Sequence, residues 1–391
     1  MFAEQRVVWF LSEISGTCPG LFQMDLNTDQ VTFCGQLLSE DETWGLCHGV
    51  THNVLAKIQN KIVMAPCFSK LGFIEYDCIS QTFTKHTPPR EFWRLAAQRD
   101  NVSAFAQAVV YKQSAFFIGN YQGIIVEYNE QEGRYRYHTN WASPLLETLT
   151  VTDLHFRSYG SFLQGNRLYL PVEEKAVLIA LNLDTMEAEL LNLPFSDRVS
   201  YITRDKHDFL LLSALDHTLI RWNQETGEFR RIELPVGRSG EDVVCGCVSW
   251  GQRVDIFPSV GYVSPMCVQE NRAEVWRESE PFWGKEGAMS EAPVNFVMTV
   301  PDEGHGFVFH TISRILTEFD LCTGKILAHV QRVRPFSPAL TKVKCLDEGE
   351  ILSLEDFLAM KKTAQAPSQP IEVAGDKIYR AVVQGSGYDN V

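Results

Sequence analysis

Two short apolar runs in this sequence each carry a residue able to exchange a proton. Asp255 lies within VDIF, residues 254 to 257, and His310 closes the run FVF at 307 to 309. A carboxylate among strand-forming side chains needs donors or a raised pKa, and a histidine can bind, donate or accept near neutrality. Together the two are the acid-base groups that a hydrolase or lyase would use. Separately they read as a polar lock inside a strand and a hydrogen-bonded structural histidine. A second set is aromatic: Trp44, Phe92 with Trp93, Trp141, Phe195, Phe282 with Trp283, and Phe336 recur between strand-like segments. Rigid rings of this size serve as contact anchors or as core wedges. Arg90, Arg94 and Arg99 accompany Trp93, and such a group would receive a carboxylate, phosphate or acidic peptide unless it is simply a solvated loop. His48 and His52 have a spacing that suits zinc on a helix, but they enter a strand, which argues against a metal there. Cys245 and Cys247 alternate onto one strand face as small hydrophobes. The sequence has no phosphate-cradling glycine loop, nucleophile elbow or paired metal motif. Neither a metal nor a cofactor is therefore expected.

The elements that position these residues repeat. LDHTLIRWNQETGEFRRIELP, residues 215 to 235, reads as two strands joined by a tight turn whose glycine supplies a positive φ. The same pattern returns near residues 20, 72, 123, 176, 264 and 314, making seven copies. Aligned on the residue before each turn they give Asp25, Asp77, Asn129, Asn182, Asn223, Gln269 and Asp320, with steps of 52, 52, 53, 41, 46 and 51. Ahead of each hairpin stands a continuous apolar run: VVWFL, IVMA, AFFI, LYL, FLLL, VDIF or FVF. Continuous rather than alternating apolarity predicts a strand covered on both faces. A further strand-like segment precedes each run except the first. A period near 49 with four short strands predicts blades, so the chain is all-β, a seven-bladed β-propeller of four-stranded blades. The aromatic set then falls on the connections between blades, all opening on one face, and His310 and Asp255 lie on second strands near the funnel.

The first copy begins at its second strand, and ALTKVKCLD at 339 to 347 is the expected missing inner strand. The ring would thus close by pairing of the N- and C-terminal segments, removing exposed edges. LSLEDFLAMKK reads as a short C-terminal helix, with Ser353 and Asp356 as its start signature, followed by a linker and a loose tail. The expected organisation is a propeller over 1–350 and a helix, linker and tail over 351–391.

Composition narrows the function classes. The chain has 391 residues, 45% of them hydrophobic, and a formal net charge of -14. That charge disfavours nucleic acid and anionic membrane surfaces as partners. The ten cysteines form no CxxC pair, which suits free thiols in a reducing cytoplasm. MFAEQRVVWFLSE shows no signal-peptide pattern, and no apolar run is long enough to span a bilayer.

LDHTLIRWNQETGEFRRIEL resembles the third and fourth strands of WD40 blades, with Trp222-Asn223 at the position of the Trp-Asp dipeptide, and FDLCTGKILA at 319 is similar. The resemblance spans the seven hairpins from 20 to 332 and implies an interaction platform around a central funnel. Similar rings also include lyases and hydrolases, so fold does not settle function. The favoured reading is a cytoplasmic, non-catalytic binding or scaffold protein for a protein or peptide partner. Its contact set would be Trp44, Trp93, Arg94, Trp141, Phe195, Trp283, Phe336 and His310. The alternatives are a funnel-site lyase or hydrolase acting on a sugar or peptide through His310 and Asp255, and a glycan or small-molecule binding module.

Overall fold

Among the described residues, five hairpin turns are built on the side chain that precedes them. Asp25 Oδ1 accepts the backbone N–H groups of Asn27 and Thr28, Asp77 Oδ1 those of Ile79 and Ser80, Asn182 Oδ1 those of Asp184 and Thr185, and Asn223 Oδ1 those of Glu225 and Thr226. Asn129 Oδ1 accepts from Glu132 in the same way. Asp and Asn share this oxygen, so either fits the repeat. At 223 the amide has a second use, because Nδ2 donates to Asp208 Oδ1 at 3.1 Å. An aspartate there would set two carboxylates against each other. Gly227 completes this turn at φ 76, a conformation that costs other residues about 1 kcal/mol.

The structure is a computed structural model that describes residues 2–4, 6–11, 20–25, 27–28, 30–37, 52–66, 72–89, 105–120, 123–156, 160–172, 175–205, 207–213, 217–234, 243–250, 253–260, 266–269, 272–275, 294–300, 305–310, 315–320, 326–332, 342–344 and 351–353. Sheet one holds β1 (Phe2–Glu4), β2 (Val7–Leu11), β3 (Gly20–Asp25) and β4 (Gln30–Gln36). Sheet two holds β5 (His52–Ile58), β6 (Lys61–Pro66), β7 (Phe73–Asp77) and β8 (Thr82–His86). Sheet three holds β9 (Phe105–Tyr111), β10 (Ser114–Gly119), β11 (Ile125–Asn129) and β12 (Arg134–His138). Sheet four holds β13 (Phe162–Gln164), β14 (Arg167–Pro171), β15 (Val177–Asn182) and β16 (Ala188–Asn192). Sheet five holds β17 (Tyr201–Arg204), β18 (Phe209–Ser213), β19 (Thr218–Trp222) and β20 (Phe229–Glu233). Sheet six holds β21 (Val243–Trp250), β22 (Arg253–Val260), β23 (Met266–Gln269) and β24 (Arg272–Val275). Sheet seven holds β25 (Val294–Val300), β26 (His305–His310), β27 (Ile315–Asp320) and β28 (Ile326–Arg332). Within every sheet the strands run in chain order, each antiparallel to the next.

Burial follows strand position. The second strands β6, β10 and β18 are covered on both faces, whereas the fourth strands β8 and β20 are largely exposed. Apolar faces of consecutive sheets meet. Val63, Ala65 and Phe73 of sheet two pack on Phe117, Val126 and Tyr128 of sheet three. Sheet three meets sheet four through Phe116, Ile118, Leu168 and Leu181, and sheets one and two, four and five, and five and six join likewise. Burying each such side chain contributes about 1.5–3 kcal/mol. The first strands lie side by side, β1 against β5, β5 against β9, β13 against β17, β17 against β21, β21 against β25 and β25 against β1.

Two expectations about the chain ends are corrected. The inner strand of sheet one is β1, from the N-terminal residues themselves, pairing Phe2 with Trp9 and Glu4 with Val7. The chain reverses there within two residues because Arg6 takes a left-handed φ of 64, which supplies the hairpin turn directly. The segment expected as the clasp instead forms β29 (Lys342–Lys344), which pairs with β30 (Ile351–Ser353). β30 ends at Ser353, the residue expected to open the C-terminal helix. The remainder of the expected helix, linker and tail lies outside the described residues.

The Asx turn predicts the first experiment. Asn223→Ala removes the one oxygen that accepts two backbone N–H groups and should lower the unfolding free energy by about 1 kcal/mol or more. Gln224→Ala, an exposed position in the same turn, should stay within about 0.5 kcal/mol of the parent. Urea unfolding of the two variants checks this.

Candidate functional site

Asp255 occupies the middle of β22, opposite Val248 on β21 and Cys267 on β23. Side chains two apart on a strand share a face, so Arg253 reaches it. Arg253 Nε lies 2.8 and 3.0 Å from the two carboxylate oxygens, and Nη2 lies 2.7 Å from Oδ1. Asp255 is 1% exposed. Burial pushes its carboxyl up to about 6 despite the guanidinium beside it. This is a buried ion pair between two residues of one strand, the geometry of a lock. His310 is the last residue of β26, opposite Val294 and Ile315; its side chain is not among those described. Pro66, Gly119, Pro171 and Ser213 likewise end their second strands β6, β10, β14 and β18, whereas Pro258 falls inside β22.

Of the aromatic rim, Trp141 and Phe195 are described, and both are corrected from contact faces to wedges. Trp141 is 5% exposed, sits among Phe116, Ile118, Leu145 and Leu168 between sheets three and four, and donates its indole N–H to the Gly123 carbonyl. The connection that carries it forms two 3-10 turns, Ser143–Glu147 and Val151–Asp153, which add Leu145, Leu149 and Leu154 to the same cluster. Phe195 is 8% exposed and packs with Val199, Ile202 and Leu211 between sheets four and five. Where consecutive sheets diverge outward, a connecting segment must fill the gap, and a large ring does so most completely. Trp44, Trp93, Arg94, Trp283 and Phe336 lie outside the described residues.

His52 is 1% exposed in β5, with Nε2 2.9 Å from the Gly72 carbonyl oxygen. The ring donates there, and burial lowers its pKa to about 4. It is a neutral core histidine. Gly72 has a second constraint, for a Cβ at that position would strike the His86 backbone carbonyl. No group of three or more metal-ligating side chains occurs among the described residues.

The structure adds two carboxylates that the sequence reading passed over. Glu75 on β7 is buried between sheets two and three, where Oε2 accepts from Lys61 at 2.9 Å and Tyr128 at 3.0 Å and Oε1 from Tyr135 at 3.0 Å. His86 stacks on Tyr135 at 4.1 Å and meets the Tyr137 hydroxyl at 2.6 Å. Glu127 holds the matching position on β11 but finds its partners inside its own sheet: Ser114 at 2.7 Å, His138 at 3.0 Å and Arg136 at 3.3 Å. Burial raises the Glu127 carboxyl, and these donors outweigh it and hold it below the usual range. The signal was present as Glu-Tyr-Asp at 75–77 and Glu-Tyr-Asn at 127–129, two residues ahead of each turn.

No protein-family model matches the chain, and no curated protein sequence does. Solved structures are similar in fold. A Lactobacillus plantarum protein aligns with a TM-score of 0.53 and 12% identity, covering 84% of this chain and 96% of that one. YCF48 bound to a D1 peptide aligns at 0.51 and 10%, covering 79% and 87%. Selenomethionine-substituted virginiamycin B lyase from Staphylococcus aureus aligns at 0.50 and 8%, covering 73% and 86%. YCF48 and the lyase are propeller-type folds. At these identities the likeness bears on fold, and this chain is all-β and propeller-like.

Two outcomes follow from the site geometry. Trp141→Ala should cost about 3–5 kcal/mol of stability, the range for emptying a large aromatic site, as a thermal melt will read. For His52, the folded pKa is depressed below the usual 6.5, so its contribution is full above pH 6.5 and fades as pH falls toward 4. The loss amounts to about 3 kcal/mol across that window. His52→Gln keeps a donor for Gly72 and should flatten the acid limb of stability against pH by up to one proton; an unchanged slope refutes this role.

Proposed function

We propose that the seven sheets are blades of one closed propeller and that the ring is a non-catalytic scaffold for a protein or peptide partner, acting in the reducing cytoplasm. The placement of β1 against β25 supports closure from the last sheet to the first. The observation that carries the functional reading is the engagement of Asp255. The carboxylate best placed for acid-base work is instead held by Arg253 inside a strand, 1% exposed. Such a group stabilises a blade and is not presented to a substrate. The partner surface is assigned to Trp44, Trp93, Arg94, Trp283 and Phe336 on the connections, with His310 at the funnel mouth. Peptide binding by the similarly folded YCF48 supports the partner class.

The second reading, a funnel-site enzyme, draws on the likeness to virginiamycin B lyase and would need Asp255 released from Arg253 to act with His310. A glycan or small-molecule module built on the same tryptophans is a third use of the face.

Affinity purification from the native host, followed by identification of the retained proteins, is the deciding experiment. Trp44→Ala, Trp93→Ala, Trp283→Ala and Phe336→Ala should melt near the parent and each weaken retention by about 2 kcal/mol, roughly 30-fold. Early unfolding of most of them would make these residues wedges like Trp141 and move the contact face elsewhere. Asp255→Ala should lower the melting temperature, since it leaves a buried guanidinium without its partner. A variant as stable as the parent would favour the enzyme instead.

A further inference from the structure

The seam between sheets one and two brings together two cysteines from distant parts of the chain. Cys34 lies on β4, the outermost strand of sheet one, and Cys78 follows the end of β7 in sheet two. Both side chains pack against the same cluster, which includes Trp9, Ile62, Ile74 and Tyr76. Alternation along β7 explains the second: Ile74, Tyr76 and Cys78 are each two residues apart and share the face turned toward sheet one. The first is brought in by the close approach of β4. A Cβ at Gly35, the next residue, would come within 2.6 Å of the Phe83 ring on β8. The Cys34 thiol donates to the Thr32 carbonyl at 3.9 Å, and Tyr76 belongs to the cluster that both cysteines pack against. Both cysteines are half-buried and carry no disulfide. Beside Cys78, Ile79 is 75% exposed, so the turn is open to a small reagent.

We propose that Cys34 and Cys78 are a modification site, a thiol pair that a low-molecular-weight disulfide such as oxidised glutathione converts into a covalent staple between sheets one and two. Cys78, on the open turn, enters first. Its thiolate attacks one glutathione sulfur, the glutathione S–S bond breaks, one glutathione thiolate leaves, and Cys78 carries a mixed disulfide. Cys34 then loses its proton to solvent and attacks the Cys78 sulfur, expelling the second glutathione. Two protein thiols are oxidised, one glutathione disulfide is reduced to two thiols, and the new S–S bond closes the chain from 34 to 78. Burial pushes the Cys34 thiol up to about 11, so the resolving step is slow near neutrality and quickens as pH rises. The pair is thereby unreactive in a reducing setting and responds to sustained oxidation. The staple restrains the two sheets from parting and so raises resistance to unfolding.

The experiment equilibrates the full chain at graded ratios of oxidised to reduced glutathione, blocks free thiols, and maps linked peptides by mass spectrometry with a parallel thermal melt. The expected result is a Cys34–Cys78 linked peptide, a melting temperature above that of the reduced protein, and reversal of both by dithiothreitol. Cys34→Ser should stop at a glutathione adduct on Cys78, and Cys78→Ser should form no link at Cys34. Adducts on both cysteines without a link, or a link from either to another cysteine, would overturn the pairing. A Cys34–Cys78 link that leaves the melting temperature unchanged would overturn the staple. Should Cys34→Ser fail to fold, a short thiol-reactive cross-linker with two electrophilic ends, such as a bis-maleimide, applied to the unmutated protein tests the same proximity, with failure to join 34 to 78 counting against it.

Discussion

A four-stranded sheet whose second strand is apolar on both faces has no stable existence in water alone, and this requirement shapes the molecule. β6, β10 and β18 are buried almost throughout, so their sheets must be covered on two sides, and here the neighbouring sheets of the same kind supply that cover. The clusters that join consecutive sheets are the result. Outward the same logic relaxes: fourth strands such as β8 and β20 face solvent and take charged and polar residues freely.

Polar groups inside these seams are governed by what the neighbouring sheet offers. Glu75 and Glu127 hold equivalent positions, two residues before the turn. Sheet three presents the hydroxyls of Tyr128 and Tyr135 to Glu75, so that carboxylate ties two sheets together. Sheet four presents apolar residues such as Leu181 in the next seam, and Glu127 therefore draws Ser114, Arg136 and His138 from its own sheet. Asp255 solves the same problem within a single strand through Arg253. A buried carboxylate without such donors would cost several kcal/mol. The three arrangements are alternative ways of meeting that demand. None leaves the carboxylate turned toward a ligand.

The connections between sheets have a structural duty that limits which of them can bind. The segment after β12 folds into two 3-10 turns and buries Trp141 with Leu145, Leu149 and Leu154. In this seam the ring fills space that the diverging sheets leave open, and its hydrogen bond to Gly123 fixes its orientation. A binding face on this side must therefore be made by connection residues that the seams do not consume.

The sequence by itself determined the repeated hairpins and the buried strand ahead of each, because each signal is local. An Asp or Asn oxygen closes its own turn two and three residues on, and continuous apolarity marks a strand covered on both faces. It also singled out Asp255 as a carboxylate in need of a partner, and Arg253 two residues away was within reach of that reasoning. What tertiary structure alone decided is the use of each side chain across a seam. Whether Trp141 contacts a partner or a core depends on the gap between sheets three and four, and whether Glu75 bonds across a seam depends on tyrosines more than fifty residues along the chain. The inner strand of sheet one was misassigned for a related reason. Residues 2 to 4 are too short to show a period, and only their pairing with β2 reveals them as a strand.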